Sequence, residues 1–314
     1  MWIANHFALA EKAVGWGVKL GHVAEKMIGA NGVRSFSMVA EKVSQTTLPK
    51  WNEHIPHPSK KRGASSGKRD FIYFPSCISR QLGQPRSNAH LSLSETLVAV
   101  ASRANINLSI PANIAGHCCG MPFASKGYTA AYKAMLHNTL HEFWEWSEHG
   151  KSSIVVDTTS CTHTFRTCRG DLDEEDVVLL DKLTILDSIE FLNDFVLPKL
   201  KPQVIDEDVV LHPNCSARKL GLDARMFAIA KQCAKSVTVP LNLGCCAFAG
   251  DRGLLFPELT QSATQKESAE INLHEYDGYY SSNIPCEIGM SEATGKEYYS
   301  IVYLVERASR SRVK

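Results

Sequence analysis

The sequence has 314 residues, of which 44% are hydrophobic and 21% charged, as in ordinary soluble globular proteins. Lys and Arg number 34 and Asp and Glu 33, so the net charge of +1 argues against a broad nucleic-acid surface and a polybasic membrane anchor. The length predicts about two domains, and no uninterrupted apolar run reaches the ~18 residues of a membrane-spanning helix.

The first residues lack the basic region and the continuous apolar stretch of a secretory signal. We therefore expect a cytoplasmic location, which leaves room for peripheral association with the inner face of the membrane. In that reducing environment the ten cysteines should be free thiols or metal ligands rather than disulfides.

The predicted elements fall into three stretches. Residues 2–46 have apolar side chains at three- and four-residue steps, which is typical of helices, with a turn at 29–32. Residues 48–69 are rich in Pro, Gly, Ser and basic residues, which predicts a linker or exposed loop. From residue 71 onward, short apolar runs alternate with helical patterns, so we predict an α/β fold with mostly parallel sheets. The predicted strands are 71–74, 153–156, 209–211, 236–241 and 279–282, and the predicted helices are 91–104, 127–148, 187–195, 224–235 and 259–272.

An internal repeat organises the cysteines. Residues 75–83 and 213–221 both read Pro-x-Cys-x-x-Arg-x-Leu-Gly, and in each half a cysteine pair and then a single cysteine follow. We infer two pseudo-repeated βα half-domains, 70–202 and 203–314, preceded by a helical connector and linker at 1–69. The first thiol set is Cys77, Cys118, Cys119 and Cys161, and the second thiol set is Cys215, Cys245, Cys246 and Cys286.

The position of the two thiol sets suggests their chemistry. The single cysteines of each set follow predicted strands, and loops after strands are where α/β folds place their ligands. A thiolate-rich site suits iron–sulfur clusters or zinc. An alternative without metal is a redox-active dithiol, because vicinal cysteines can close a strained and labile disulfide.

Several side chains near the cysteines have two interpretations. His117, His163 and His212 each lie within three residues of a repeated cysteine, so they could bind a metal or be ordinary loop histidines. Arg80 and Arg218 occupy the same repeat position. They could bind a carboxylate, neutralise an anionic cluster, or form structural salt bridges.

Other notable residues have structural interpretations. Cys233 falls within a predicted helix and is interpreted as a small buried hydrophobe. Cys168 is also interpreted as a core residue, although its closeness to the first thiol set could draw it in. The acidic run 171–176 is interpreted as a solvated face, and Trp144 and Trp146 as packing residues of the long second helix.

These motifs resemble a known family. The chain is similar to the cysteine-rich CCG domain pair of heterodisulfide reductases and their relatives. It looks most like the C-terminal iron–sulfur region of flavin-dependent D-lactate dehydrogenases. The resemblance covers about residues 71–310, and residues 1–60 look like the helical connector of such enzymes. The segments that carry the closer resemblance are 73–77, 117–122, 157–162, 283–291 and 294–300.

The resemblance implies an oxidoreductase whose eight repeated cysteines bind iron–sulfur clusters of the 4Fe-4S type, with zinc as the alternative metal. It implies FAD in a flavin domain outside this chain, a ferredoxin-type module as a further partner, and a quinone or cytochrome as acceptor. The chain has neither a GxGxxG fingerprint nor a ferredoxin-type cysteine run, so we expect no lactate turnover from it alone and assign it no catalytic residue. A thiol–disulfide redox module and a zinc-stabilised docking domain stay open as alternatives.

The sequence departs from the fullest family pattern in two ways. That pattern ends each set with Cys-x-x-Cys, but here Thr164 and Gly289 stand at the second cysteine position. Each set therefore has four thiols, which suit an ordinary cubane cluster or tetrahedral zinc and put a five-thiolate cluster in doubt. The second half also reads Cys-Cys-Ala instead of Cys-Cys-Gly, and the bulk of Ala247 should limit close approach there.

Overall fold

The computed structural model of the chain describes residues 1–59, 69–87 and 90–310, so most of the basic part of the predicted linker lies outside the described residues. Strands and helices alternate from residue 71 onward. The strands are β1 (Phe71–Phe74), β2 (Leu108–Ser109), β3 (Ser153–Val156), β4 (Ile185–Asp187), β5 (Ile205–Leu211), β6 (Ala234–Thr238), β7 (Gly278–Ser281) and β8 (Tyr298–Ser300).

Helices fill the connections between the strands and form the N-terminal extension. They are α1 (Trp2–Asn5), α2 (Phe7–Ser44), α3 (Cys77–Leu82), α4 (Leu93–Arg103), α5 (Met121–Ala124), α6 (Thr129–Trp146), α7 (Thr159–Thr167), α8 (Glu174–Lys182), α9 (Ser188–Glu190), α10 (Leu197–Leu200), α11 (Cys215–Lys219), α12 (Asp223–Cys233), α13 (Arg252–Leu255), α14 (Pro257–Ile271), α15 (Ile284–Thr294) and α16 (Ile301–Ala308). A 3₁₀ turn at Cys168–Asp171 follows α7, and a π-helical segment at Phe191–Val196 follows α9.

The strands form two four-stranded sheets in which every neighbouring pair is parallel. The orders are β2-β1-β3-β4 and β6-β5-β7-β8, so the two sheets repeat the same connectivity. The predicted α/β class, with two βα halves and an N-terminal helix, is confirmed. The domain boundaries at 69 and 202 stay a prediction, although the first sheet ends at Asp187 and the second begins at Ile205.

Both faces of the central strands are buried, which explains their continuous apolar sequences. In β1, Tyr73 faces the largest hydrophobic cluster, whereas Ile72 and Phe74 face a second cluster with the apolar side of α6. In β5, Val209 faces the largest cluster, and Val210 faces a small one of its own half. The largest cluster takes residues from α4, α12 and α16, so the two halves share one core.

The N-terminal extension is helical, as predicted, but the predicted turn at 29–32 is wrong in extent. The helical path of α2 breaks only at Gly29, whose φ of 73° lies in the left-handed region that glycine adopts at little cost. Residues 30–32 are already helical again. Among the described helices, none is both long enough and apolar enough to cross a bilayer.

Residues 48–59 form a loop, as predicted, but parts of it are buried. This segment has no helix or strand, but Ile55 is only 4% exposed and belongs to the shared core. The Asn52 side chain donates a hydrogen bond to Glu292 at 2.7 Å, and the backbone of His57 pairs with that of Gln84. The segment therefore connects the N-terminal helix to both halves. Its many prolines signal the lack of regular structure but not exposure.

Candidate metal centres at the strand ends

The single cysteines lie just beyond the carboxyl ends of the central strands. Cys77 is the first residue of α3, after β1, and Cys161 lies in the first turn of α7, after β3. Cys215 and Cys286 hold the same places after β5 and β7. Because β1 neighbours β3 and β5 neighbours β7 in parallel pairs, the cysteines of each half come to one sheet edge.

The cysteine pair of each half completes its set. In the first thiol set, the sulfurs of Cys77 and Cys118 are 3.2 Å apart, and Cys119 donates a hydrogen bond to Cys161 at 3.1 Å. In the second thiol set, Cys246 donates to Cys286 at 2.9 Å, and Cys215 shares a hydrogen bond with Cys245. The structure therefore brings the predicted cysteines into contact as two pairs in each set, one pair formed by the first and second cysteine of the set and the other by the third and fourth.

A buried hydrogen-bond network fixes the strand ends under the first thiol set. The Tyr73 hydroxyl donates to Asp157 Oδ2 at 2.6 Å, and the Ser76 amide donates to Asp157 Oδ1 at 2.9 Å. Ser76 Oγ also lies 2.7 Å from Thr158 Oγ1. These bonds tie the residue before Cys77 to the residues before Cys161, so the two cysteines are held in a fixed relation.

The second half has the same tie with different side chains. Asn214, which precedes Cys215, donates to Ser282 Oγ at 2.7 Å. The Asn283 amide group donates to the sulfur of Cys286 at 3.3 Å. Each thiol set therefore rests on a bond between the ends of two neighbouring strands.

One polar side chain from a long helix supports the cysteine-pair loop in each half. In the first half, Thr139 of α6 accepts from the Cys118 amide at 3.2 Å and donates to its carbonyl at 2.9 Å. In the second half, Glu267 of α14 accepts from the Gly244 amide at 3.1 Å. The residue after each pair has positive φ: 80° for Gly120 and 53° for Ala247. The alanine thus adopts the conformation of the glycine it replaces.

A histidine joins the second thiol set. His212, at the position of Phe74 in the first half, is fully buried, and its Nδ1 lies 2.7 Å from Glu267 Oε1. A ring nitrogen of His212 and the sulfurs of Cys246 and Cys286 lie within 4.8 Å of one another. Within the described residues Nε2 has no hydrogen-bond partner, so it is the nitrogen free to face the sulfurs. A carboxylate behind an imidazole is the usual support of a metal-binding histidine.

The family comparison agrees with this geometry. Residues 71–166 match the model of the cysteine-rich domain (CCG) family, over a range that includes the whole first thiol set. Residues 71–166 form a CCG domain. No curated protein matches the chain. The CCG match indicates an iron–sulfur or redox module at the first thiol set. In the second half, the group of His212, Cys246 and Cys286 is compatible with a bound metal.

Electrostatics differ between the two thiol sets. In the CCG domain, hydrogen bonds between thiols and burial raise the pKa of Cys77 and Cys118 well above the ordinary value. The hydrogen bond from Cys119 lowers the pKa of Cys161, but burial and the other thiols outweigh it and raise that pKa to about 11. These thiols stay protonated at neutral pH until a cation replaces their protons.

The second thiol set already favours a thiolate. The hydrogen bond from Cys246 lowers the pKa of Cys286 to about 6; burial opposes this shift, and His212 adds to it. Burial lowers the pKa of His212, but its contacts with Cys286 and Glu267 prevail and raise it to about 9. The two shifts share a cause, the contact between the Cys286 sulfur and the His212 ring. Cys215 and Cys245 also interact, and this contact lowers the pKa of Cys245 and raises that of Cys215.

The repeated arginines have structural contacts. Arg80 forms a salt bridge with Glu11 of α2 and donates to the carbonyls of Pro75 at 2.6 Å and His117 at 2.7 Å. Arg80 thereby connects the N-terminal helix to the loop after β1 and to the loop of the cysteine pair, as the salt-bridge interpretation predicts. Arg218 only reaches the carbonyl of Leu243, at 3.5 Å.

Of the three candidate histidines, only His212 enters the sulfur contacts. His117 packs edge-on against Trp146, and burial lowers its pKa. Burial also lowers the pKa of His163, which is partly exposed on α7. The two tryptophans act as predicted: Trp146 is buried in the core of the CCG domain, and Trp144 lies under Lys182.

The remaining predictions around the sets can also be compared with the structure. Cys233 and Cys168 are buried core residues, and Cys168 donates its thiol to the Phe165 carbonyl at 3.3 Å. The Thr164 hydroxyl donates a hydrogen bond to the Ser160 carbonyl at 3.0 Å. A Cβ on Gly289 would lie 3.8 Å from Cys246 Cβ, so this position borders the second set but offers it no donor.

The acidic run 171–176 is not a solvated face throughout. Asp176 is 3% exposed, and its carboxylate accepts hydrogen bonds from His137 and His141. Sequence reasoning missed this group, and it also missed Glu267 behind His212. The spacing of the two histidines by four residues on one helix was the available signal for the first group.

Proposed function

We propose that the chain is the iron–sulfur electron-transfer portion of a flavin-dependent D-2-hydroxy-acid dehydrogenase, with D-lactate as the substrate of the complete enzyme. The observation that carries the proposal is the convergence of four cysteines at the same sheet edge in each half. The electron acceptor would be a quinone or a cytochrome. A flavin domain and a ferredoxin-type module would be the partners of this chain.

The thiol sets fit such a cofactor. Four thiolates are the ordinary ligands of a four-iron cluster and also of structural zinc. A bound iron–sulfur cluster would supply reversible one-electron transfer at each site. The chain's own residues supply the sulfur ligands, bury them, and hold their loops through Thr139 and Glu267. Burial and hydrogen bonding to sulfur are the means by which a protein sets a cluster's potential.

Hydrogen bonds join the segments that carry the two thiol sets, which supports the proposal. The Thr159 hydroxyl of α7 donates to the Ser282 carbonyl at 3.1 Å, and the Ser160 hydroxyl donates to Asn283 Oδ1 at 3.1 Å. These bonds join the segment that carries Cys161 to the segment that carries Cys286. The proposed centres would therefore sit on opposite sides of one bonded seam within the protein.

Zinc at the second thiol set is the second candidate, because His212 favours it. Tetrahedral zinc with Zn–S bonds of about 2.3 Å holds its sulfurs about 3.8 Å apart. The sulfurs of Cys246 and Cys286 are 2.9 Å apart, so one zinc ion would spread them by about an ångström. A zinc-stabilised docking role would follow if this set alone bound zinc and the chain carried no electrons.

The thiol–disulfide alternative finds less support in the CCG domain. Nucleophilic cysteines need a lowered pKa, and the thiols of the first set have raised values. In the second set, the lowered pKa of Cys286 to about 6 is compatible with thiolate chemistry. The alternative therefore applies chiefly to the second half.

The test is anaerobic reconstitution of the full chain with iron and sulfide. We expect iron, acid-labile sulfide and a reduced-state EPR signal, and about half of each after Cys118→Ser combined with Cys119→Ser. Cys233→Ala, which removes a buried thiol outside both sets, should leave all three unchanged. An iron-free chain with fully titratable thiols would overturn the cluster proposal in favour of the dithiol. Binding of zinc alone would favour the docking domain.

Two further measurements separate the parts of the proposal. His212→Phe replaces the histidine by phenylalanine, the residue that Phe74 supplies at the same position of the first half. If the second thiol set is a Cys/His zinc site, this variant should lose its zinc and keep its iron. The dehydrogenase assignment is tested in a complete flavin-containing enzyme. There D-lactate should reduce the flavin with or without the Cys118→Ser/Cys119→Ser change, which should block electron delivery to a quinone. Undiminished delivery by that variant would contradict the electron-transfer role.

A further inference from the structure

Away from the thiol sets, three side chains of the CCG domain and its flank converge at the surface. His137 and His141 lie one turn apart on α6, and Asp176 lies in the first turn of α8. His137 Nδ1 is 3.0 Å and His141 Nε2 is 3.1 Å from the same carboxylate oxygen, Asp176 Oδ1. The two imidazole centroids are 4.3 Å apart. All three potential ligand atoms lie within 4.8 Å of one another.

Burial makes this group more than a surface contact. The side chain of Asp176 is 4% exposed, whereas those of His137 and His141 are 50% and 37% exposed. In the described part of the chain no Lys or Arg forms an ion pair with Asp176. Among those residues, its carboxylate has hydrogen bonds only from the two histidine rings. A buried carboxylate needs such compensation. The exposed side of the rings leaves a path for an ion from solvent.

We propose that His137, His141 and Asp176 bind one divalent transition-metal ion of the Zn²⁺ class. Imidazole nitrogens suit zinc, copper and nickel, whereas magnesium and calcium prefer all-oxygen sites. Two nitrogens and one carboxylate oxygen provide three ligands, and water from the exposed side completes the coordination. The ion would bind separately from the thiol sets, because none of its ligands is a cysteine.

The position of the group gives the ion a mechanical role. It would join α8 to α6, and α6 also carries Thr139, whose hydroxyl holds the Cys118 backbone of the first thiol set. Bound metal would therefore brace the helix behind that set from its outer side. This role is structural and does not depend on electron transfer.

Zn²⁺ titration of the full chain, followed by long-range proton–nitrogen NMR of the histidine rings, tests the proposal. We expect shifts at Nδ1 of His137 and at Nε2 of His141, because these are the nitrogens that face Asp176. Thiolate sites that take up zinc do not shift these two rings, so the readout separates the two kinds of site. An anomalous-scattering peak beside Asp176 in a Zn²⁺-soaked crystal should agree.

Variants decide whether the three residues act as a site. Asp176→Asn and His141→Gln should each weaken the apparent zinc affinity at the remaining rings about tenfold or more. His149→Gln removes an exposed histidine that lies 3.7 Å from Glu145 and packs against the Trp144 ring, and it should leave the titration unchanged. Should Asp176→Asn fail to fold, His141→Gln still gives the answer, since that ring is partly exposed. Absence of ring shifts at saturating Zn²⁺, or equal affinity in His141→Gln, would overturn the proposal.

Discussion

Corresponding positions in the two halves carry different residues, and these differences set the charge of each thiol set. Phe74 packs in the core of the CCG domain, whereas its counterpart His212 brings a ring nitrogen and, through Glu267, a carboxylate to the second set. The thiols of the first set have raised pKa values, and Cys286 has a lowered one. The duplicated scaffold therefore carries one set of four cysteines and one set in which a histidine joins the cysteines.

A buried carboxyl at the start of α9 gives the protein a defined pH dependence. Asp187 is fully buried, and burial raises its pKa from 3.8 to about 6, although hydrogen bonds from the Ile189 amide and the Thr162 hydroxyl act in the opposite sense. The folded state holds this proton more tightly than the unfolded chain. The contribution of Asp187 to the free energy of unfolding should therefore fall as the pH rises from about 4 to about 6, by up to ~3 kcal/mol, and then level off.

Asp187→Asn should remove that fall, because asparagine keeps an acceptor for the Ile189 amide and has no charge to bury. Urea unfolding at several pH values between about 4 and 7 measures the difference. Asp173→Asn, at the exposed residue before α8, controls for the lost charge. An unchanged pH slope in Asp187→Asn would show that another group is responsible.

At the residue scale, the sequence predicts what repeats and misses what occurs once. The eight cysteines could be found because their order recurs in both halves, and the structure brings them together. Glu267 lies 55 residues beyond His212, so only the packing of α14 against the strand ends makes it a partner. The sequence predicted that Asp176 belongs to a solvated acidic run. Composition cannot show that one residue of such a run is buried.

At the element scale, pattern strength decided which elements could be predicted. The strands at 71–74 and 153–156 have the predicted bounds, because runs of four and three consecutive apolar residues set them apart from their surroundings. β2, β4 and β8 were not predicted; they have two or three residues each, too few to show a period. They owe their existence to pairing with a neighbouring strand in the sheet, which is a tertiary property.

Two glycines of α2 test how the segment 48–59 packs on that helix. They lie four residues apart, and a Cβ at Gly17 would meet nothing within 4 Å, whereas one at Gly21 would lie 2.0 Å from the Trp51 ring. Gly17→Ala should raise the free energy of unfolding by ~0.5–1 kcal/mol, as expected from helix propensity. Gly21→Ala should lower it, because displacing the ring costs ~1–3 kcal/mol. Denaturant unfolding followed by circular dichroism compares the two; stabilisation by both would mean that Trp51 does not pack there.

At the scale of the whole molecule, the two halves are parts of one folding unit. The shared core takes Leu97 of α4 from the first half and Leu304 of α16 from the second. Arg103 donates to the Glu306 carboxylate at 2.8 Å and to the Ser309 hydroxyl at 2.8 Å across the same boundary. The sequence predicted two halves from their repeat, but it contained no sign of how far they would merge. The core residues on both sides of the boundary are apolar, and apolar patterning does not specify which apolar surface it will pack against.

Because the core is shared, a destabilising substitution in one half should also lower the stability of the other half. Leu304→Ala should cost ~2–5 kcal/mol and should speed amide hydrogen exchange in β1 and β3 as well as in β5. Met290→Ala is the matched change, since Met290 is equally buried but lies in the small cluster formed only by residues of the second half. Its effect on exchange should be largest in β5 and β7 and much weaker in β1 and β3. Exchange in β1 and β3 that does not respond to Leu304→Ala would mean that the halves unfold independently, and that the seam between the thiol sets can open while each set stays folded.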